Sequence, residues 1–153
     1  MTTHQPTVTT NANLYEQDFY LWIETTAKQL KAGKLAEVDL ENLIEEIESM
    51  GRSEKRALES NLVVLLMHLL KYKYQPEKRT NSWLSTILEH RRRLNKNLQD
   101  SPSLKKYFLE TFSECYQDAR QQAAIETGLL IDNFPVESPF SADECLNKDF
   151  LPD

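Results

Sequence analysis

Val38 to Glu54, VDLENLIEEIESMGRSE, is the stretch that decides the fold of this chain. Asp39 stands where a helix needs an N-cap, and Val38 before it with Leu43 after it has the spacing of a hydrophobic staple. Leu40, Leu43, Ile44 and Ile47 recur at three and four residues, which places them on one inward face. Gly51 then reads as a left-handed stop and Ser53 as the cap of a following helix. The stretch therefore predicts a capped acidic helix followed at once by a second one.

Working outward, the same grammar predicts three more helices. Asn13 with Glu16 has the form of a capping box, and Gly33 closes a first helix over 14–32 whose Tyr15, Phe19, Trp22, Ile23, Thr26 and Leu30 make an apolar stripe that needs burial. From Ser53 the helix carrying Leu58, Leu62, Leu65, Leu66 and Leu69 runs to Gln75-Pro76, where proline forbids continuation; it is the most apolar and is placed at the centre. Asn81 or Ser82 opens a fourth, with Trp83, Ile87, Leu94 and Leu98 inward as far as Asp100. Ser101-Pro102 launches a fifth that closes at Gly128, with Leu104, Phe108, Phe112, Cys115, Ala119 and Ala123 along its stripe.

The expected architecture is a single all-α domain: a flexible tail over 1–12, a bundle of five helices over 13–128, and an irregular arm over 129–153 packed on it. The arm carries three prolines, scattered aromatics and one short capped turn at Ser141 to Glu144. The whole chain, at 153 residues, suffices for one core without metal or disulfide staples. Apolar residues are 40% of the chain and charged residues 27%, with three glycines, a balance unlike that of a sandwich or barrel.

The net charge of -6 argues against a general polyanion-binding surface, although it leaves room for a local basic face. Cys115 and Cys145 have no zinc or disulfide spacing and read as free thiols. The first residues lack the basic start and apolar run of a signal peptide, and the longest apolar run, Leu62 to Leu70, is interrupted by His68 and is far shorter than a membrane span. A cytoplasmic protein with no membrane partner is expected.

Several strings together resemble a known family: YEQDFYLW at Tyr15 to Trp22, DLENLIEEIESMGRSEKRALES at Asp39 to Ser60, HLLKYKYQP at His68 to Pro76, Ser82-Trp83, DSPSL at Asp100 to Leu104 and ETGL at Glu126 to Leu129. They are similar to the bacterial, mostly cyanobacterial, family called domain of unknown function twenty-nine, over about Leu14 to Pro152. One departure is Ser138-Pro139-Phe140, where similar proteins often read Cys-Pro-Trp. The resemblance implies an all-helical fold and a bacterial cytosol, and it carries over no catalytic residue.

Three functional readings remain. Glu41, Glu45 and Glu48, spaced by four and three, line one helical stripe, and with His68 they are the candidate metal ligands of a metal-dependent hydrolase. The Glu-x-x-His pairs of bundle metal sites are missing, since Leu65 precedes His68 and Ile87 precedes His90 at that spacing, so a solvated or salt-bridged edge is the simpler account and no metal is expected. Between His68 and Lys96, eight bases stand against two acids, interleaved with Tyr72, Tyr74 and Trp83. Bases among aromatic faces suit single-stranded nucleic acid, with Lys71, Lys73, Arg79, Trp83, Arg91, Arg92 and Arg93 as the candidate contacts. Pairing of these bases with the acids of the second helix is the structural alternative. No catalytic constellation or cofactor fingerprint converges, so the reading leans away from an enzyme and expects no cofactor. It favours a protein-interaction or regulatory module whose partner is another protein or a second copy, which an accessible apolar patch would support.

Overall fold

The computed structural model describes residues 14–153; the expected tail and the Asn13 half of the first capping box lie outside them. Among the described residues the fold is all-α, 79% of them helical, with no strand. Its helices are α1 (Phe19–Lys31), α2 (Leu40–Tyr74), α3 (Asn81–Asp100), α4 (Leu104–Thr127) and the short α5 (Ala142–Leu146), with a further helical stretch at 14–17. The chain divides into two compact units, and the boundary falls between Arg52 and Ser53, inside α2.

That boundary corrects the expected stop. Gly51 and Ser53 lie within one continuous helix of 35 residues, so the second and third predicted helices are one. The reason is phase: Ile44, Ile47, Gly51, Glu54 and Leu58 follow at three- and four-residue steps, so the stripe passes through the glycine without a shift. Gly51 has no left-handed φ, whereas Gly33 at +71° and Gly128 at +74° do. Arg52 reaches back two turns to Glu45 at 2.8 Å, across the glycine.

The first unit is a helical pair. Asp18 interrupts the expected first helix and caps α1, its Oδ1 accepting from the Leu21 N–H at 3.1 Å. Asp39 caps α2 as expected, accepting from the Asn42 N–H at 3.3 Å. Tyr15 donates to Glu46, and Trp22 Nε1 donates to Asp39 at 3.3 Å, so contacts advance along one helix as they recede along the other and the pair is antiparallel. Tyr15 and Phe19 pack on the Trp22 ring at 4.9 and 5.8 Å. Trp22, Thr26 and Val38 are buried.

The second unit holds the main core. Leu58, Leu62, Leu65, Leu66, Leu69 and Leu70 of α2 are fully buried together with Ile87 and Leu94 of α3 and with Phe108, Cys115, Ala119 and Ala123 of α4. Thr80, rather than Asn81 or Ser82, caps α3, its Oγ1 accepting from the Trp83 N–H at 3.2 Å. Likewise α4 begins at Leu104, two residues later than Ser101-Pro102 suggests, because those two residues form a turn whose carbonyls accept from Leu104 and Lys105. The arm buries Phe134, Phe140 and Cys145. Its irregular backbone carbonyls are satisfied by side chains: Tyr116 donates to Pro135, Gln117 to Val136 and Arg120 to Phe134. Ser141 and Glu144 form the expected capping box of α5. Both cysteines are free and buried, and burial pushes both thiols up, Cys145 to about 12.

A glycine inside a helix costs about 1 kcal/mol relative to alanine, and no atom lies within 4 Å of where a Cβ at Gly51 would stand. Gly51→Ala is therefore expected to stabilise the protein by about 0.5–1 kcal/mol, measured as a higher urea midpoint. Gly33→Ala, at a left-handed φ, is expected to destabilise by about 1 kcal/mol. Destabilisation by Gly51→Ala would mean that the helix ends there.

Candidate functional site

Glu41, Glu45 and Glu48 belong to the first unit and His68 to the second; Glu45 is ion-paired with Arg52, and Glu41 and Glu48 are exposed. No group of three or more His, Cys, Asp or Glu able to hold a metal occurs among the described residues. His68 is half-buried, and its Nδ1 donates to the Val64 carbonyl at 2.9 Å, one turn back on its own helix.

The basic region takes its acidic partners from its own unit. Lys71, largely buried, pairs with Glu126 at 3.1 Å and lies 4.8 Å from the Trp83 ring centre. Arg79 stacks on Tyr72 at 4.1 Å while its Nε donates to the Tyr72 carbonyl at 2.7 Å. Lys73 lies 5.8 Å from the Tyr74 ring centre. Arg92 and Arg93 share Glu89, at 2.8 and 2.9 Å, and hold its carboxyl below the usual range. Arg91 is buried. Within the first unit, Glu45, Glu46 and Asp39 bond Arg52, Tyr15 and Trp22. Lys71, Arg92 and Arg93 thus form their ion pairs with acids of their own unit, Glu126 and Glu89.

An apolar surface on the first unit is the feature that the sequence pattern placed wrongly. The stripes of α1 and of the first turns of α2 were expected to be buried, yet Leu40, Ile44 and Ile47 are 55%, 54% and 59% exposed, and Phe19, Ile23, Leu30 and Met50 are exposed as well. The cause is geometric, because two helices hide one seam each and this unit has no third. Relative to the seam residues Trp22 and Thr26, the Phe19–Ile23–Leu30 stripe is rotated by less than about 100°. The Leu40–Ile44–Ile47 stripe is rotated by about 130° in the same sense from Asp39, Asn42 and Glu46. In an antiparallel pair, rotation in the same sense sets both stripes on the same side, forming one apolar face.

The rims of that face differ in sign. Lys31, with Lys34 just past the end of α1, borders the face on one side, whereas α2 carries Glu41, Glu45 and Glu48 beside its apolar stripe. Lys28, Lys31, Lys34, Glu41 and Glu48 form no ion pair among the described residues.

No helix among the described residues is long and apolar enough to cross a membrane. The family model for domain of unknown function DUF29 matches residues 14–151, nearly the whole chain. No curated protein and no solved structure matches the chain.

His68 and His90 make a pH prediction. Burial is the main cause lowering both, and for His90 the neighbouring charges of Arg93 and His68 add to it. The folded protein then binds these protons less readily than the unfolded chain, so the stabilisation is present above about pH 6.5 and is lost as pH falls through the depressed folded values. Urea midpoints are expected to decline between pH 7.5 and 5, and the decline is expected to flatten in H68Q/H90Q. An unchanged slope in that variant assigns the dependence to other groups.

Proposed function

The chain belongs to the family described as domain of unknown function DUF29, and from that premise we propose that it is a non-enzymatic protein-interaction module whose docking surface is the apolar face of its first unit. The occupant we assign is a second copy of this chain. One observation carries the reading: of the large apolar side chains exposed on the helical pair, seven (Phe19, Ile23, Leu30, Leu40, Ile44, Ile47 and Met50) belong to the two stripes turned to the same side. At roughly half exposure each, they present on the order of 600 Å², as large as the biggest patch on a typical monomer, and such patches mark contact sites.

Three arguments favour a second copy. Two such pairs stacked face to face complete a four-helix arrangement, the ordinary way for helical pairs to bury their remaining stripes. Mutual coverage removes about 1,200 Å² in total, the lower end of stable interfaces. A two-fold arrangement setting α1 against α2 of the other copy also brings the Lys31–Lys34 rim toward the glutamate rim, and rim charges of opposite sign fix orientation.

The nucleic-acid reading has less support, since Lys71, Arg79, Arg92 and Arg93 already have partners and Arg91 is buried. The hydrolase reading has less support as well, since Glu45 is taken up by Arg52 and no group of three or more His, Cys, Asp or Glu able to hold a metal occurs among the described residues. As part of the same proposal, the module works in a bacterial, mostly cyanobacterial, cytoplasm.

Sedimentation at tens of micromolar is expected to give twice the chain mass, and I44E/I47E, at two exposed positions, is expected to give the single-chain mass with an unchanged helical circular dichroism spectrum. A wild-type chain sedimenting at the single-chain mass throughout that range would overturn self-association.

A further inference from the structure

Arg91 is the most heavily buried charged side chain in the second unit, 3% exposed. It reaches from α3 to the arm: Nε donates to the Cys145 carbonyl at 2.8 Å and Nη1 to the Phe150 carbonyl at 2.9 Å. Nη2 is buried with no hydrogen-bond partner. Both of its acceptors are neutral carbonyls, and no carboxylate pairs with it among the described residues. Burial lowers its proton affinity, but a guanidinium stays charged at any physiological pH. The fold therefore holds a desolvated cation without a counter-ion, an arrangement that costs several kcal/mol unless something negative compensates it.

Arg91 also helps to line a recess of about 390 Å³, within the size range of small-molecule sites. Arg92, Asn95, Lys96 and Gln99 line it from the same helix, and Lys148 lines it from the arm; Leu88 adds an apolar wall. Four of the seven lining residues are cations and none is an acid. Two of the cations have outside partners, Arg92 with Glu89 at 2.8 Å and Lys96 with Asp100 at 3.3 Å. Both pairs are solvent-exposed and of the kind that contributes about 0–1 kcal/mol, so a ligand can compete for them. Lys148 forms no ion pair among the described residues. Asn95 is held in place by its Nδ2, which donates to the Arg91 and Leu146 carbonyls at 3.1 and 3.0 Å and so ties helix to arm at the recess.

We propose that this recess binds a small organic phosphate of about mononucleotide size, its phosphate held by Arg92, Lys96 and Lys148, its apolar body against Leu88, and the fixed charge of Arg91 compensated by the bound anion. Phosphate suits the donor set, because guanidinium and ammonium groups give charge-assisted hydrogen bonds to its oxygens. The apolar wall favours an ester over the bare ion.

The test titrates the full-length protein at low ionic strength with adenosine monophosphate, inorganic phosphate and adenosine, by calorimetry. Adenosine monophosphate is expected to bind, adenosine not to, and inorganic phosphate to bind more weakly. Because Arg91 also anchors the arm, the diagnostic variant is R92Q/K148Q, at exposed positions, which is expected to weaken adenosine monophosphate at least tenfold with helical content unchanged. No heat from either phosphate, or affinity that R92Q/K148Q leaves unaltered, would overturn the proposal. A short single-stranded oligonucleotide binding a hundredfold tighter than adenosine monophosphate would overturn it in favour of nucleic acid.

Discussion

The structure depends on the unbroken phase of the apolar stripe in the helix Leu40–Tyr74. Its second half sinks Leu58, Leu62, Leu65, Leu66, Leu69 and Leu70 into a core shared with α3, α4 and the arm. Its first half has one partner, α1, and hides a seam against it. The same periodicity therefore yields a core in one unit and an open face in the other. Hydrophobic spacing specifies which side of a helix is apolar; the number of neighbouring helices decides whether that side is covered.

That distinction explains what could be read from the chain. The helical class followed from spacing, as did the Asp39 cap, the Gly33 and Gly128 closures and the Ser141–Glu144 capping box, because each rests on contacts within a few residues. Gly51 misled because a glycine is equally compatible with a left-handed stop and with a helix interior, and the choice depends on whether the following residues stay in phase. Ile47, Gly51, Glu54 and Leu58 do. The apolar face was legible as a stripe and invisible as a surface. Lys148, Asn95 and Gln99 carried no local signal at all, since the recess forms only when the arm lies beside a helix some fifty residues earlier in sequence.

The charged residues follow a related logic. An excess of bases between His68 and Lys96 suggested a polyanion surface, yet these bases are largely consumed by single partners: Glu126 for Lys71, Glu89 for Arg92 and Arg93, and ring faces or carbonyls for Arg79. Arg91 is the exception. It gives up hydration to fasten the arm by two neutral acceptors, and its third nitrogen is left over. A hydrophobic side chain of similar volume would fill the space without the electrostatic cost; what the guanidinium adds is two hydrogen bonds that fasten the arm to α3.

The two sulfur atoms complete the picture of an interior closed to chemistry. Thiol–disulfide exchange and oxidation proceed through the thiolate, and at Cys115 and Cys145 the apolar surroundings suppress that form while packing denies access. A native molecule is thus inert toward electrophiles and mild oxidants, and alkylation can occur only on molecules that have opened. The rate at which these sulfurs are modified is consequently a clock for the opening of the Ser53–Asp153 unit, built into the chain without any added label.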